Sequence, residues 1–173
     1  MEESEEYEKA KWTHEQLRAF GRVARAWAYF EGSLVLVLEK MLTVDHFRAR
    51  LIWASSPNFR ARQKLLNQIL FTFCDDPQGK FNNIMKRASN LSKKRNLFMH
   101  ALGYHKNNKM YFIHDSEDDA YGFNFENIEE YQLSNVDGIA DAIMILAKEV
   151  FVWSPSLVIH TSPKMHRAAP PGH

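Results

Sequence analysis

The chain has 173 residues, 45% of them apolar and 25% charged, with one cysteine and a formal net charge of +1. That length suits a single domain, and that composition excludes collagen-like, mucin-like and wholly disordered chains. A lone Cys74 excludes an internal disulfide framework and a cysteine-based zinc site, and it reads as a small buried hydrophobe.

Gly and Pro together number 13, and four of the six prolines (Pro155, Pro163, Pro170, Pro171) fall in the last 19 residues. The body of the chain is almost free of helix breakers, so an all-α fold is expected. No apolar run approaches the ~18 residues of a membrane span. The acidic opening MEESEEYEKAKW is unlike a secretory signal. A cytoplasmic chain without membrane contact is expected. The small net charge conceals an asymmetry. Trp12 to His114 carries 17 Lys/Arg against 6 Asp/Glu, whereas Asp115 to Trp153 carries one Lys against ten acids. Such a division serves a polyanion-facing surface, self-association of unlike patches, or two halves of one fold neutralising each other.

Residues 1–11 read as a disordered acidic tail. Thr13, with Gln16 three residues later, has the spacing of a capping box and opens a long helix. Its stripe Leu17, Phe20, Ala24, Trp27, Glu31, Leu34, Leu38, Met41 advances by threes and fours along one face. Glu31 is the one carboxylate in that stripe. A second helical stretch runs from Asp45 to about Phe73, interrupted near Ser55-Ser56-Pro57, with Pro57 as first helical residue behind a Ser cap. Phe59, Leu65, Leu66, Ile69 and Phe73 are its expected core. Arg48, Arg50, Arg60 and Arg62 form either an RNA groove or a solvated face. Asp75 to Gly79 is a turn.

The third helix spans Lys80 to about Leu102, with the stripe Phe81, Ile84/Met85, Ala88, Leu91, Arg95, Phe98, Leu102 and Gly103 as its terminating residue. Two short aromatic runs, Met110–Ile113 and Tyr121–Phe125, flank an acidic turn and predict a β-hairpin. Ser134 or Asn135 caps a last helix through Val136, Ile139, Ile143, Leu146, Val150 and Trp153, ended by Ser154-Pro155. Trp27, Trp53 and Trp153 fall in helical patterns and belong to the core. The expected organisation is a tail over 1–11, a helical domain over 12–153 with a hairpin insertion at 110–125, and a flexible Pro/His-containing tail over 154–173. His160, His166 and His173 lack ligand spacing, and His46, His105 and His114 read as surface residues.

No metal-binding or glycine-rich phosphate signature occurs, so neither a metal nor a cofactor is expected. The segment Ser92-Lys-Lys-Arg-Asn-Leu-Phe-Met-His100 is the one that can carry chemistry. Asn96 and His100 are four apart and share a helix face. Arg95 lies about 140° from His100 by the helical period and meets it only through its length. Arg95 is a permanent cation suited to grip a phosphate with two parallel hydrogen bonds. A histidine serves as acid or base near neutral pH, and Asn96 can orient it. RNA cleavage without a metal needs little more, because the 2′-hydroxyl is the nucleophile. Lys86, Arg87, Lys93 and Lys94 are the expected RNA contacts.

With four residues between Arg95 and His100 and Asn96 beside the arginine, this segment resembles the RNase motif of the HEPN superfamily. The likeness extends over about residues 13–153, from the long first helix with Trp27 and Glu31 to the last helix. The resemblance implies an all-α HEPN-like bundle of four to five helices, here with a short β-hairpin before the last. It implies a homodimer with a composite, metal-independent endoribonuclease site made by Arg95, Asn96 and His100 with Glu31 in support. It also implies a toxin or phage-defence role, with RNA as substrate and an antitoxin protein as partner. A second reading stays open: a non-catalytic dimeric interaction or RNA-binding module of the same fold. In either reading Glu31 and Arg95 are expected within salt-bridge distance as a buried ion pair, whose disruption costs about 3–5 kcal/mol.

Overall fold

The computed structural model describes residues 12–76, 79–100, 102–106, 109–113 and 128–160. Five α-helices make up most of them: α1 (His14–Leu42), α2 (His46–Ala54), α3 (Phe59–Phe73), α4 (Lys80–His100) and α5 (Leu133–Trp153). The strands are short: β1 (Cys74–Asp75), β2 (Leu102–Lys106), β3 (Lys109–Ile113), β4 (Ile128–Tyr131) and β5 (Val158–Ile159). The fold is therefore all-α with a small sheet before the last helix, as the scarcity of breakers predicts. The predicted tail over 1–11 and the strand at Tyr121–Phe125 lie outside the described residues.

Local chemistry sets the helix starts. The Thr13 backbone N–H donates to Gln16 Oε1 at 2.8 Å while Gln16 N–H donates to Thr13 Oγ1 at 3.2 Å, the reciprocal pair of a capping box. Asp45 caps α2 by accepting from Arg48 N–H, and Asn58 caps α3 by accepting from Ala61 N–H. The expected Ser cap with Pro57 as first helical residue is thus displaced by two positions. An Asn side chain satisfies the orphan N–H groups that Pro57 would have met only by lacking one. Asn135 acts at α5 by reaching back to Gln132 N–H at 2.9 Å.

The described residues fall into two compact units. One takes the described parts of Met1–Phe30 and Ala88–Leu146, the other Glu31–Arg87 and Ala147–His173.

The first unit is held by aromatic packing. Phe98 meets Phe20 at 6.0 Å, Phe112 at 5.2 Å and Tyr131 at 5.0 Å between ring centroids, and Trp12 closes on Phe20 at 5.2 Å. Pairs of this kind add about 0.5–1.5 kcal/mol each beyond the area they bury. On the part of α1 in this unit the buried positions are Gln16, Ala19, Phe20, Val23, Ala26, Trp27 and Phe30, while Leu17 is 52% exposed. The inner stripe therefore runs one residue off the Leu17 expected to begin it. On α5, Val136, Ile139, Ile143 and Leu146 are buried as their spacing predicts.

The sheet of this unit is antiparallel in the order β2-β3-β4. Leu102 pairs with Ile113 and Lys106 with Lys109, and β4 pairs along the other edge of β3. This corrects the expected end of α4. The helix stops at His100, and Leu102 and Gly103, assigned to its last turn, are strand residues. The backbone groups of 102–106 find their partners on β3, which a further helical turn would forfeit.

The second unit buries Leu34, Val37, Leu38, Met41, Trp53, Leu66, Ile69, Leu70, Phe81 and Met85, with Val150 and Trp153 from the end of α5. Phe81 stacks on Trp153 at 5.1 Å, and the indole N–H donates to Asp76 Oδ1 at 3.3 Å. Cys74 is buried and starts β1, which pairs with β5. The tail boundary expected at 154 is corrected by that pairing. Leu157 is buried, and His160 N–H donates to Phe73 O at 2.8 Å.

Candidate functional site

The motif occupies the last turns of α4. Leu97 and Phe98 are buried and pin one face of the helix, so Asn96 and His100 are turned to solvent and Arg95 is left half-buried between the faces. Arg95 runs along the helix toward its end. Its Nη1 donates to Asn96 Oδ1 at 2.9 Å and lies 3.5 Å from His100 Nε2. An arginine can only donate, so His100 Nε2 can take part in this contact only as acceptor. The long side chain thus spans the angle between Arg95 and His100. The Nε of Arg95 is buried and has no hydrogen-bond partner. Among the described residues no carboxylate pairs with this guanidinium.

Glu31 goes elsewhere. Its Oε1 accepts from Arg62 Nη1 at 2.8 Å, and Arg62 is further held by the Ser56 carbonyl at 3.3 Å and by the Trp53 ring, 5.2 Å below its guanidinium carbon. The expected Glu31–Arg95 pair is thereby corrected. An arginine fixed by a ring and a carbonyl takes the carboxylate.

The basic residues expected to touch RNA divide in the same way. Arg87 closes the two arms of its end-on fork on Glu149, at 2.7 and 3.0 Å, so its charge is already matched by a carboxylate. Lys94 lines a 660 Å³ groove together with Glu129 and Glu130, two acids that oppose a polyanion. Lys86 and Lys93 are exposed and have no ion pair among the described residues. Beside Lys94, the Tyr131 hydroxyl donates to Glu129 Oε2 at 2.5 Å. Burial first, and this hydrogen bond second, hold the phenol well above its usual pKa.

The charge asymmetry also resolves locally. Arg22 bridges Asp137 and Asp141 at 2.6 and 2.8 Å, and Lys109 meets Glu130 at 2.8 Å. With Arg87–Glu149, these place acids of the C-terminal part on cations of the N-terminal part. Such exposed pairs contribute little to stability, and they give neutralisation within the fold a concrete form.

No family model, no curated protein and no solved structure matches the chain. Function is therefore read from side-chain geometry. No group of three or more His, Cys, Asp or Glu side chains among the described residues is placed to hold a metal ion. No helix among them is long and apolar enough to cross a membrane. What Arg95, Asn96 and His100 offer together is a fixed cation, an amide and an exposed imidazole at one helix end.

Sequence spacing alone does not separate Arg62 from Arg60, which the structure does. Arg62 turns to Glu31, whereas Arg60 lines an open groove on α3 with Gln63, Lys64 and Asn67. The signal for that groove is a repeat of polar residues at steps of three and four beside the apolar stripe of α3.

Proposed function

We propose that the chain is a metal-independent endoribonuclease of HEPN type that cleaves RNA through attack by the 2′-hydroxyl. The observation that carries this reading is Arg95: a half-buried guanidinium with no carboxylate partner among the described residues, turned along α4 onto Asn96 and His100. A buried charged donor left unmatched costs about 1–3 kcal/mol, which a purely structural arginine avoids by pairing. An anionic phosphate would supply a counter-charge by meeting the guanidinium at its Nη end, beside Asn96 and His100, because Nε itself is closed to solvent.

In the reaction, His100 Nε2 exchanges Arg95 for the 2′-hydroxyl and takes its proton. The 2′-oxygen then bonds to phosphorus, and the 5′-oxygen leaves with a proton from an acid. Arg95 stabilises the charge on the pentacovalent phosphorus, and Asn96, whose oxygen faces Arg95, has its amide N–H groups for a phosphate oxygen. A homodimer that brings a second His100 to the same phosphate provides that acid. The exposure of His100 and Asn96 is compatible with this. A toxin role and an antitoxin partner are supported by the resemblance of this segment.

The test is incubation of the full chain with structured RNA in excess EDTA. Cleavage should proceed, leave 2′,3′-cyclic phosphate ends, spare 2′-O-methyl RNA, and fall ~10²–10⁴-fold in His100→Ala, the range of general acid–base catalysis. Loss of activity on chelation, or equal cutting of DNA, overturns the mechanism. Binding without cutting favours the non-catalytic module.

A further inference from the structure

The residues of α3 sort by face. Leu66, Ile69 and Leu70 are buried. Beside them, Arg60, Gln63, Lys64, Asn67, Gln68 and Phe71 line a groove of about 820 Å³, near the upper end of what ligand sites enclose. Asn82 on α4 completes the lining.

Three features combine in this groove. Arg60 and Lys64, like Lys86 and Lys93, have no ion pair among the described residues. The carboxamides of Gln63, Asn67, Gln68 and Asn82 make no side-chain hydrogen bond there either. Phe71 is 63% exposed, a large ring at the solvent boundary of a polar groove. Among the described lining residues the one acid is Asp76, which accepts from Lys80 and Phe81 N–H at 3.2 and 2.9 Å and from the Trp153 indole. Its charge is directed at the start of α4, where N–H dipoles offset it.

Free carboxamides present donors and acceptors side by side, as base edges do. Two cations one helical turn apart suit consecutive phosphates, and an exposed ring is a stacking platform. An acidic peptide could meet the cations and the carboxamides, but its acidic side chains give the Phe71 ring no flat partner to stack on, and a duplex hides its bases from the ring. We propose that this groove binds a single-stranded segment of nucleic acid, with phosphates on Arg60 and Lys64, a base stacked on Phe71, and base edges against Gln63, Asn67 and Gln68. This site is separate from the Arg95–His100 motif and does not depend on whether His100 cleaves.

The experiment measures fluorescence anisotropy of a labelled, fully 2′-O-methylated RNA of about twelve nucleotides with the full chain. Methylation removes cleavage from the readout. Phe71→Ala should weaken binding at least ~5-fold, the low end of a lost stack, without changing the salt dependence. Arg60→Ala with Lys64→Ala should weaken it at least ~10-fold and flatten the slope of log K on log salt by about 1.4, the value for two phosphate contacts on a single strand. The control Arg48→Ala with Arg50→Ala removes the same charge from α2 and should leave binding within ~2-fold, since isolated surface charges act weakly through salt. A duplex of the same sequence should bind more weakly and ignore Phe71→Ala. Equal losses from the two double variants, unchanged affinity in Phe71→Ala, no binding, or equal competition by polyglutamate overturns the proposal. All substituted residues in the groove are exposed, so thermal melting should be unchanged and confirms that each variant is folded.

Discussion

Among the described arginines, Arg62 and Arg95 are the two that sit half-buried beside apolar helix stripes, and their surroundings differ. Arg62 is matched on every side, by Glu31 at 2.8 Å, by the Ser56 carbonyl and by the Trp53 ring. Arg95 touches an amide and an imidazole, and its buried Nε has no partner. The first arrangement is what stability favours, since both charges lose water and regain hydrogen bonds. The second is costly in the isolated chain and makes sense where an anion completes it. Charge in an apolar stripe is therefore an ambiguous signal. The partner decides which arginine holds the fold and which waits for a ligand.

The largest expected effect breaks this comparison at Arg95. Arg95→Met should lower RNA cleavage by ~10²-fold or more, the scale of losing a donor to transition-state charge. Its melting temperature should hold or rise, because an apolar side chain removes the unmatched Nε. Cleavage rates and calorimetry on the same samples check both halves. If melting falls as far as in the Arg62 variant, Arg95 is architectural and the assignment of the site fails.

Arg62→Ala should do the reverse. It strands a Glu31 carboxylate that is only 23% exposed and removes a cation from the Trp53 ring. The cost should be about 2 kcal/mol, the range for charge-assisted hydrogen bonds, or a drop of roughly 4–8 °C for a chain of this size. Activity per folded molecule should stay unchanged. Adding Glu31→Gln to Arg62→Ala should recover part of the loss, and a double-mutant cycle by chemical denaturation measures the coupling. No recovery would mean that Trp53 and Ser56, rather than Glu31, make Arg62 stabilising.

Local patterns are legible in this sequence, and long-range pairings are not. The capping box at Thr13, the stripe of α5 and the burial of Trp27, Trp53 and Trp153 each follow from residues within a few turns of one another. The Arg95–Asn96–His100 cluster is legible for the same reason. Glu31 has its partner 31 residues away on another helix, and a stripe carries no address for it. The hairpin of β2 with β3 hides because its strands are five residues each and only two residues separate Lys106 from Lys109. Leu102 and Gly103 also satisfy the pattern of a helix end. The β1–β5 pair joins Cys74 to Ile159 and has no periodic signature at all.

The smallest expected effect sharpens the comparison by testing a cost that lies outside the proposed site. α1 ends in a Schellman motif: Thr43 N–H donates to Lys40 O at 3.3 Å and Val44 N–H to Glu39 O at 3.2 Å. The motif requires a left-handed residue at position 43, where Thr43 has φ of 53°. A β-branched side chain there crowds the backbone and costs about 1 kcal/mol, and glycine adopts the conformation freely. Thr43→Gly should therefore stabilise the fold by about 0.5–1 kcal/mol, the strain relieved less the extra freedom of glycine in the unfolded chain. A rise of roughly 1–4 °C in melting temperature would show it. Cleavage and RNA binding should not move, in contrast to Arg95→Met, where relief of an unfavourable group should abolish function. If Thr43→Gly also lowers cleavage, a gain in stability no longer separates the Arg95 site from the rest of the fold.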